Sequence, residues 1–109
     1  MNSQPRARLL VVDDEAAQMN ALCETLGQQG YATTGFTSAR LALECLATQE
    51  FDLVLTDVEM PLLDGIQLTR RIRKDPRFVR LPILIACDGD NVQQRWRGFD
   101  AGANYYVIK

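Results

Sequence analysis

Histidine is absent from this chain, and cysteine is scarce, with three residues at positions 23, 45 and 87. An odd thiol count, no metal-like spacing and no imidazole weaken both a disulfide framework and a zinc site. Cys23 and Cys45 fall on apolar faces of predicted helices, where buried thiols are expected. Long apolar runs are missing too: none approaches a membrane span, and Leu9 to Val12 is too short for the apolar core of a signal peptide after Met1–Arg6. A cytoplasmic protein is the expectation. There is no excess of positive charge, with 12 Lys and Arg against 14 Asp and Glu, net -2, which argues against direct nucleic-acid binding. No repeat, linker or low-complexity segment appears. What is present is a chain of 109 residues, 47% hydrophobic, enough for one globular domain with a core and too little for two. Residues up to Gln4 read as frayed.

Strand and helix signals alternate along the chain. Leu9–Val12 is a short apolar run of the buried parallel type. Residues 15–29 have helical period, with Ala16, Met19, Leu22, Cys23 and Leu26 on one face and Gly30 as a stop. Residues 31–36 read as a weaker strand. Ser38 caps a helix that buries Ala39, Ala42, Leu43 and Leu46. Residues 53–56 form the next strand, and Asp64 caps a helix from Gly65 to about Lys74 that Pro76 ends. Residues 81–87 form a fourth buried strand. Residues 91–102 form a helix whose spacing puts Val92, Trp96 and Phe99 on a buried face. Residues 105–108 form the last strand, where Tyr105 and Tyr106 are candidates for an exposed edge. The run Arg70–Lys74 reads as a solvated helix face. Alternating units of this kind imply a doubly wound parallel sheet with right-handed crossovers. Such a sheet calls for a further helix after its last strand. The chain stops at Lys109, so it reads as a single domain, 1–109, that lacks its final helix.

Three strands end in charge. The first runs into Asp13-Asp14, the third into Asp57, and the last into Lys109. Parallel strands bring their carboxyl ends to one edge, where open α/β sheets hold ligands. Clustered carboxylates repel unless a cation lies among them, and oxygen donors with room for water suit Mg²⁺ or Mn²⁺. A carboxylate can accept phosphate covalently. Lys109 would bring a movable positive charge to a phosphoryl oxygen. For Asp57 alone, a solvated acid at a strand end is an equally good reading. Asp64 reads as a helix cap rather than a ligand.

In this setting the segments Leu9-Leu-Val-Val-Asp-Asp-Glu15, Asp57-Val-Glu-Met-Pro-Leu-Leu-Asp-Gly65, Leu81-Pro-Ile-Leu-Ile85, Gly98-Phe-Asp-Ala-Gly-Ala103 and Tyr106-Val-Ile-Lys109 become informative. In that order they resemble the receiver domain of bacterial two-component response regulators. The resemblance implies a flavodoxin-like five-stranded parallel sheet in the order 2-1-3-4-5. It implies that Asp57 accepts phosphate from a phosphohistidine on a kinase or phosphotransfer domain. Asp13, Asp14, Asp57 and the backbone carbonyl of Glu59 would hold Mg²⁺ (or Mn²⁺). Lys109 would contact the phosphoryl group, and Tyr106 would be the aromatic switch. The missing histidine fits, because the donor imidazole comes from another chain or domain. A receiver of this kind is a signalling phosphoacceptor rather than an enzyme, cut from a longer regulator or hybrid kinase. Its output domain is not legible.

Two positions depart from the pattern. Cys87 stands where Thr or Ser usually donates a hydroxyl hydrogen bond, and a thiol is a weak donor. Asp88 stands where a small residue leaves space, and its charge opposes a phosphoryl group. Phosphorylation is therefore expected to couple weakly to the Tyr106 face. The alternative is a degenerate receiver-like interaction module that does not signal by phosphate. A free-standing phosphatase with Glu59 as general acid is disfavoured, since no cap domain or substrate pocket is evident.

Overall fold

The computed structural model describes residues 7–109, so the expected fraying up to Gln4 lies outside the described residues. The elements follow as β1 (Arg8–Val12), α1 (Ala16–Gln28), β2 (Ala32–Phe36), α2 (Ala39–Leu46), β3 (Leu53–Asp57), α3 (Gly65–Arg73), a 3₁₀ turn (Pro76–Phe78), β4 (Ile83–Cys87), α4 (Val92–Ala101) and β5 (Tyr105–Ile108). All strands are parallel, in the order β2-β1-β3-β4-β5. This is the expected topology, with the order reversing between β1 and β3. The fourth strand is shorter than its apolar run, because Pro82 has no N–H for the ladder and contributes only its carbonyl, to Val54 N–H at 2.9 Å.

One core dominates. Leu10, Val12, Val54, Ile83, Ile85 and Cys87 from the sheet meet Ala42 and Leu46 of α2, Ile66, Leu68 and Ile72 of α3, and Ala101 of α4. Leu9 and Val11 are buried but point to the other face by strand alternation, where α1 packs on β1 and β2. That face is less closed. Met19, Cys23 and Leu26 of α1 are half-buried, while Ala16 and Leu22 of the expected apolar stripe are exposed. A side chain at Gly35 would run into the Met19 and Cys23 sulfurs, so glycine there lets α1 settle on β2. At the far edge β5 exposes Tyr105, Val107 and Ile108.

The helix starts follow their caps. Ser38 accepts from Leu41 N–H. Asp64 and Gln67 form a reciprocal capping box, and Asn91 accepts from Gln94 N–H. Helix α4 differs from expectation. Trp96 is 71% exposed and Phe99 44%, whereas Gly98 and Ala101 are buried. The face toward the sheet is made of small residues: a Cβ on Gly98 would already touch Ile85 and Tyr106. Close approach selects against large side chains there, so the aromatic stripe turns outward.

The arginine run is likewise not all solvated. Arg73 donates to the carbonyls of Gly102 and Phe78 and to Asn104 Oδ1, at 2.7 to 2.9 Å. Asn104 Oδ1 also accepts from Ile83 N–H. One guanidinium thus ties α3 to the 3₁₀ turn and to the loop before β5.

Candidate functional site

The sheet delivers three charged side chains at its carboxyl edge: Asp57 ends β3, and Asp13 and Lys109 each stand one residue past β1 and β5 with the ladder continuing to them. Asp13 N–H donates to Phe36 O, Val58 N–H to Ala86 O, and Lys109 N–H to Cys87 O at 2.7 Å. The register sets Val12 beside Thr56, Asp57 beside Ala86, and Cys87 beside Ile108. Asp13 and Asp57 are therefore close neighbours. Lys109 sits two strands from Asp57, a gap of roughly 10 Å between backbones, which its long side chain crosses over β4.

Lys109 Nζ lies 3.0 Å from Asp57 Oδ1, 3.6 Å from Asp13 Oδ2 and 3.9 Å from Asp88 Oδ1. It also donates to Gln18 Oε1 at 3.4 Å. Asp57 Oδ1 further accepts from Val58 N–H at 3.0 Å, so Oδ1 is held twice and Oδ2 carries no hydrogen bond from the described residues. Asp13 Oδ1 accepts from Glu15 N–H, which fixes that carboxylate in turn. Asp13 and Asp57 are buried and Asp14 is exposed. Burial raises the Asp57 pKa; Lys109 opposes this and Asp13 adds to it, and the net direction is upward. For Lys109 burial acts downward, but contacts with Asp57, Asp13 and Asp88 outweigh it and hold the ammonium above its ordinary range.

One carboxylate oxygen from each of Asp13, Asp14 and Asp57 falls within 4.8 Å of the others. These are hard oxygen donors, buried on one side and open on the other, which fits a small divalent cation that keeps part of its water. The opening is a cleft of about 450 Å³ lined by Asp14, Asp57, Glu59, Met60, Asp88 and Gln94, among others. Asp64 and Arg97 also reach it; Arg97 and Gln94 were not among the expected site residues. Gln94 carried a signal all the same, since it stands in the first turn of a helix capped by Asn91.

Glycine at position 65 keeps the loop tight. Its N–H donates to Val58 O, and any side chain there would strike the Asp57 carbonyl. Between them the chain makes a γ-turn, with Leu63 N–H donating to Pro61 O at 2.8 Å and Leu62 at φ 70° in its centre. The positive-φ form of this turn is rare and strained, at a cost of about 1–3 kcal/mol for a non-glycine residue.

Cys87 and Tyr106 are close to the site without entering the charge cluster. The buried thiol donates to Gly89 O at 3.0 Å and approaches Val107 O at 3.5 Å. Tyr106 donates to Gln94 Oε1 at 2.7 Å, and its half-buried ring tilts against Phe99 at 6.3 Å. Burial, with the neighbouring thiol of Cys87, pushes the phenol above its usual range. Asp88 is largely solvated and meets the cluster only through Lys109.

A doubly wound sheet of this order, with acids and a lysine at its reversal point, defines a receiver, and the chain belongs to the response regulator receiver domain family, matched over residues 9–109. Receiver domains are signalling domains of two-component systems. The chain is 39% identical over 102 residues to the response regulator MprA of Mycolicibacterium vanbaalenii, an alignment that takes in 94% of this chain and 43% of that protein. It is 36% identical over 107 residues to the gliding motility regulatory protein of Myxococcus xanthus, covering 95% of this chain and 13% of the other. The chain thus spans less than half the length of these curated relatives. Among solved structures, a putative response regulator from Chloroflexus aurantiacus superposes with a TM-score of 0.90 at 33% identity, covering 97% of this chain and 86% of that one. The chemotaxis protein CheY4 of Vibrio cholerae gives 0.91 at 26% identity, covering 94% and 86%. Among the described residues no helix is long and apolar enough to cross a membrane.

Proposed function

We propose that this receiver accepts a phosphoryl group on Asp57 from a phosphohistidine of a kinase or phosphotransfer domain, in a reaction that needs a divalent cation, and that it transmits the event weakly. The observation that carries the reading is the Lys109 ammonium 3.0 Å from Asp57 Oδ1, beside two further aspartates at the mouth of an open cleft. Lys109 and the Val58 amide both hold Oδ1, which leaves Oδ2 as the attacking oxygen. In-line attack forms an O–P bond to Asp57 and breaks the P–N bond of the donor, whose imidazole leaves with a proton from solvent. Lys109 turns from the carboxylate to the new phosphoryl oxygens, and its charge holds them. Asp13, Asp14, Asp57 and the Glu59 carbonyl are the groups that would hold Mg²⁺, which when bound neutralises charge on the transferring group.

Weak transmission follows from the Cys87 thiol. It already donates to Gly89 O within its own turn, and sulfur is a poor donor to a phosphoryl oxygen. The loop after β4 therefore has little to pull it toward the phosphoryl group. The same observation favours the second reading, a module whose partners ignore phosphate.

The deciding experiment is phosphodonor treatment with Mg²⁺ followed by intact-mass analysis. Wild type gains one phosphoryl group and Asp57→Asn gains none. An unmodified wild type, or equal uptake by both proteins, sinks the phosphoacceptor reading.

A further inference from the structure

Leu62 combines two unfavourable properties. Its side chain is fully exposed, at 103% of the reference area, and its backbone is held at φ 70° in a strained turn. Glycine or asparagine would relieve the backbone and remove the apolar surface together, so neither packing nor local conformation accounts for leucine here. An observed backbone outlier beside a site is a reason to look for function. Pro61 lines both the acceptor cleft and a second groove of about 390 Å³, bounded by Leu62, Leu63, Leu43, Arg40 and Arg71. Leu62 lines the second groove, directly after the proline that the two share.

What would meet this side chain is set by the chemistry of the cleft. The chain has no histidine, so a phosphohistidine must come from outside, and the loop after β3 forms one wall of the cleft it would enter. The cleft presents Asp14, Asp57, Glu59, Asp64 and Asp88 against Arg97, with Lys109 at its floor, so its acids outnumber its cations and a phosphorylated donor gains little from the lining alone. Contacts away from the transferring group then add the binding energy that a protein donor can use and a small one cannot. An exposed apolar side chain in a groove lined by Arg71 and by Arg40, the latter in a solvent-exposed pair with Glu44 at 3.7 Å, is suited to that.

We propose that Leu62 is the apolar anchor for the protein phosphodonor, inserting into an apolar recess beside its phosphohistidine, with Arg40 and Arg71 facing acidic residues around that recess. The inference rests on phosphoacceptance by Asp57 and names the partner surface that serves it. The strained turn is what lifts the side chain clear of the loop.

The test compares two donors on the full chain. One is acetyl phosphate, too small to reach Leu62 while reacting. The other is the autophosphorylated core of a sensor histidine kinase, selected beforehand for transfer to the wild-type chain. Leu62→Asn and Leu62→Gly should slow transfer from the kinase by about tenfold or more, the scale of a lost interface anchor, while uptake from acetyl phosphate stays within about twofold. Leu62→Met, which keeps apolar bulk, should transfer at the wild-type rate. The melting temperature of Leu62→Gly should equal or exceed that of wild type, since the residue is not there for stability. Kinase transfer to Leu62→Asn at the wild-type rate overturns the proposal, as does an equal loss with both donors, which would make the loop part of the acceptor site. A wild-type chain that takes no phosphate from acetyl phosphate, and for which no transferring kinase is found in that selection, instead removes the phosphoacceptor reading beneath it.

Discussion

Asp57 is buried next to a second carboxylate, and the fold tolerates this because Lys109 reaches over β4 to both. The balance remains unfavourable to the charged form, as the upward pKa shows. A carboxyl group whose folded pKa is raised favours folding least when it is ionised in both states. The stability deficit opens as pH rises from the unfolded value of about 3.8 through the higher folded value, and it is complete above that. Asp57→Asn should therefore melt at a higher temperature than wild type at pH 7 in the presence of a chelator. The gap should close as pH falls toward 3.8. A lower melting temperature for the variant across this range would show that the Lys109 pair outweighs burial. The acids and lysine of the site were legible because each ends an apolar run, a pattern that survives without any alignment. The γ-turn at Leu62 was not, since nothing in Pro-Leu-Leu-Asp announces a positive φ.

At the level of elements, most of the fold could be read from where apolar runs stop and caps begin. Ser38, Asp64 and Asn91 open their helices through hydrogen bonds to the third helical N–H, the chemistry the sequence suggested for the first two. Helix α4 was misread for a physical reason. Its buried side is Gly98 and Ala101, and a periodicity argument weights large apolar residues, which here face solvent. Arg73 was hidden among similar neighbours, because a run of arginines does not say which one the helix turns inward. It now stands out as the clamp between α3, the 3₁₀ turn and the loop before β5. Arg73→Ala should cost about 2–3 kcal/mol, since three acceptors lose a charged donor: Gly102 O keeps only what solvent offers, and Phe78 O keeps only the longer bond from Leu81 N–H at 3.3 Å. Chemical denaturation would measure it, with Arg71→Ala on the exposed side of the same helix as the control. Equal effects from the two variants would remove the clamp from the account.

For the molecule as a whole, the proposed accepting groups and the thiol at the proposed switch position lie on different strands, while Tyr106 shares β5 with Lys109. The site's charged groups stand at the ends of β1, β3 and β5, whereas the thiol of Cys87 occupies β4, between β3 and β5. Cys87→Thr should place a stronger donor at this position and tighten the link between Asp57 and Tyr106. Amide chemical-shift changes on treatment with phosphodonor and Mg²⁺ should then spread further into α4 and β5 than in wild type. Identical shift maps for both proteins would leave Cys87 without a role in coupling. The strand order has another consequence. Asp13 and Asp57 emerge from the ribosome well before Lys109, and Lys109 reaches them only once β5 has paired with β4. A nascent or partly folded chain carries the anionic groups without their cation, so the site acquires its working charge balance only when the sheet is complete to its far edge.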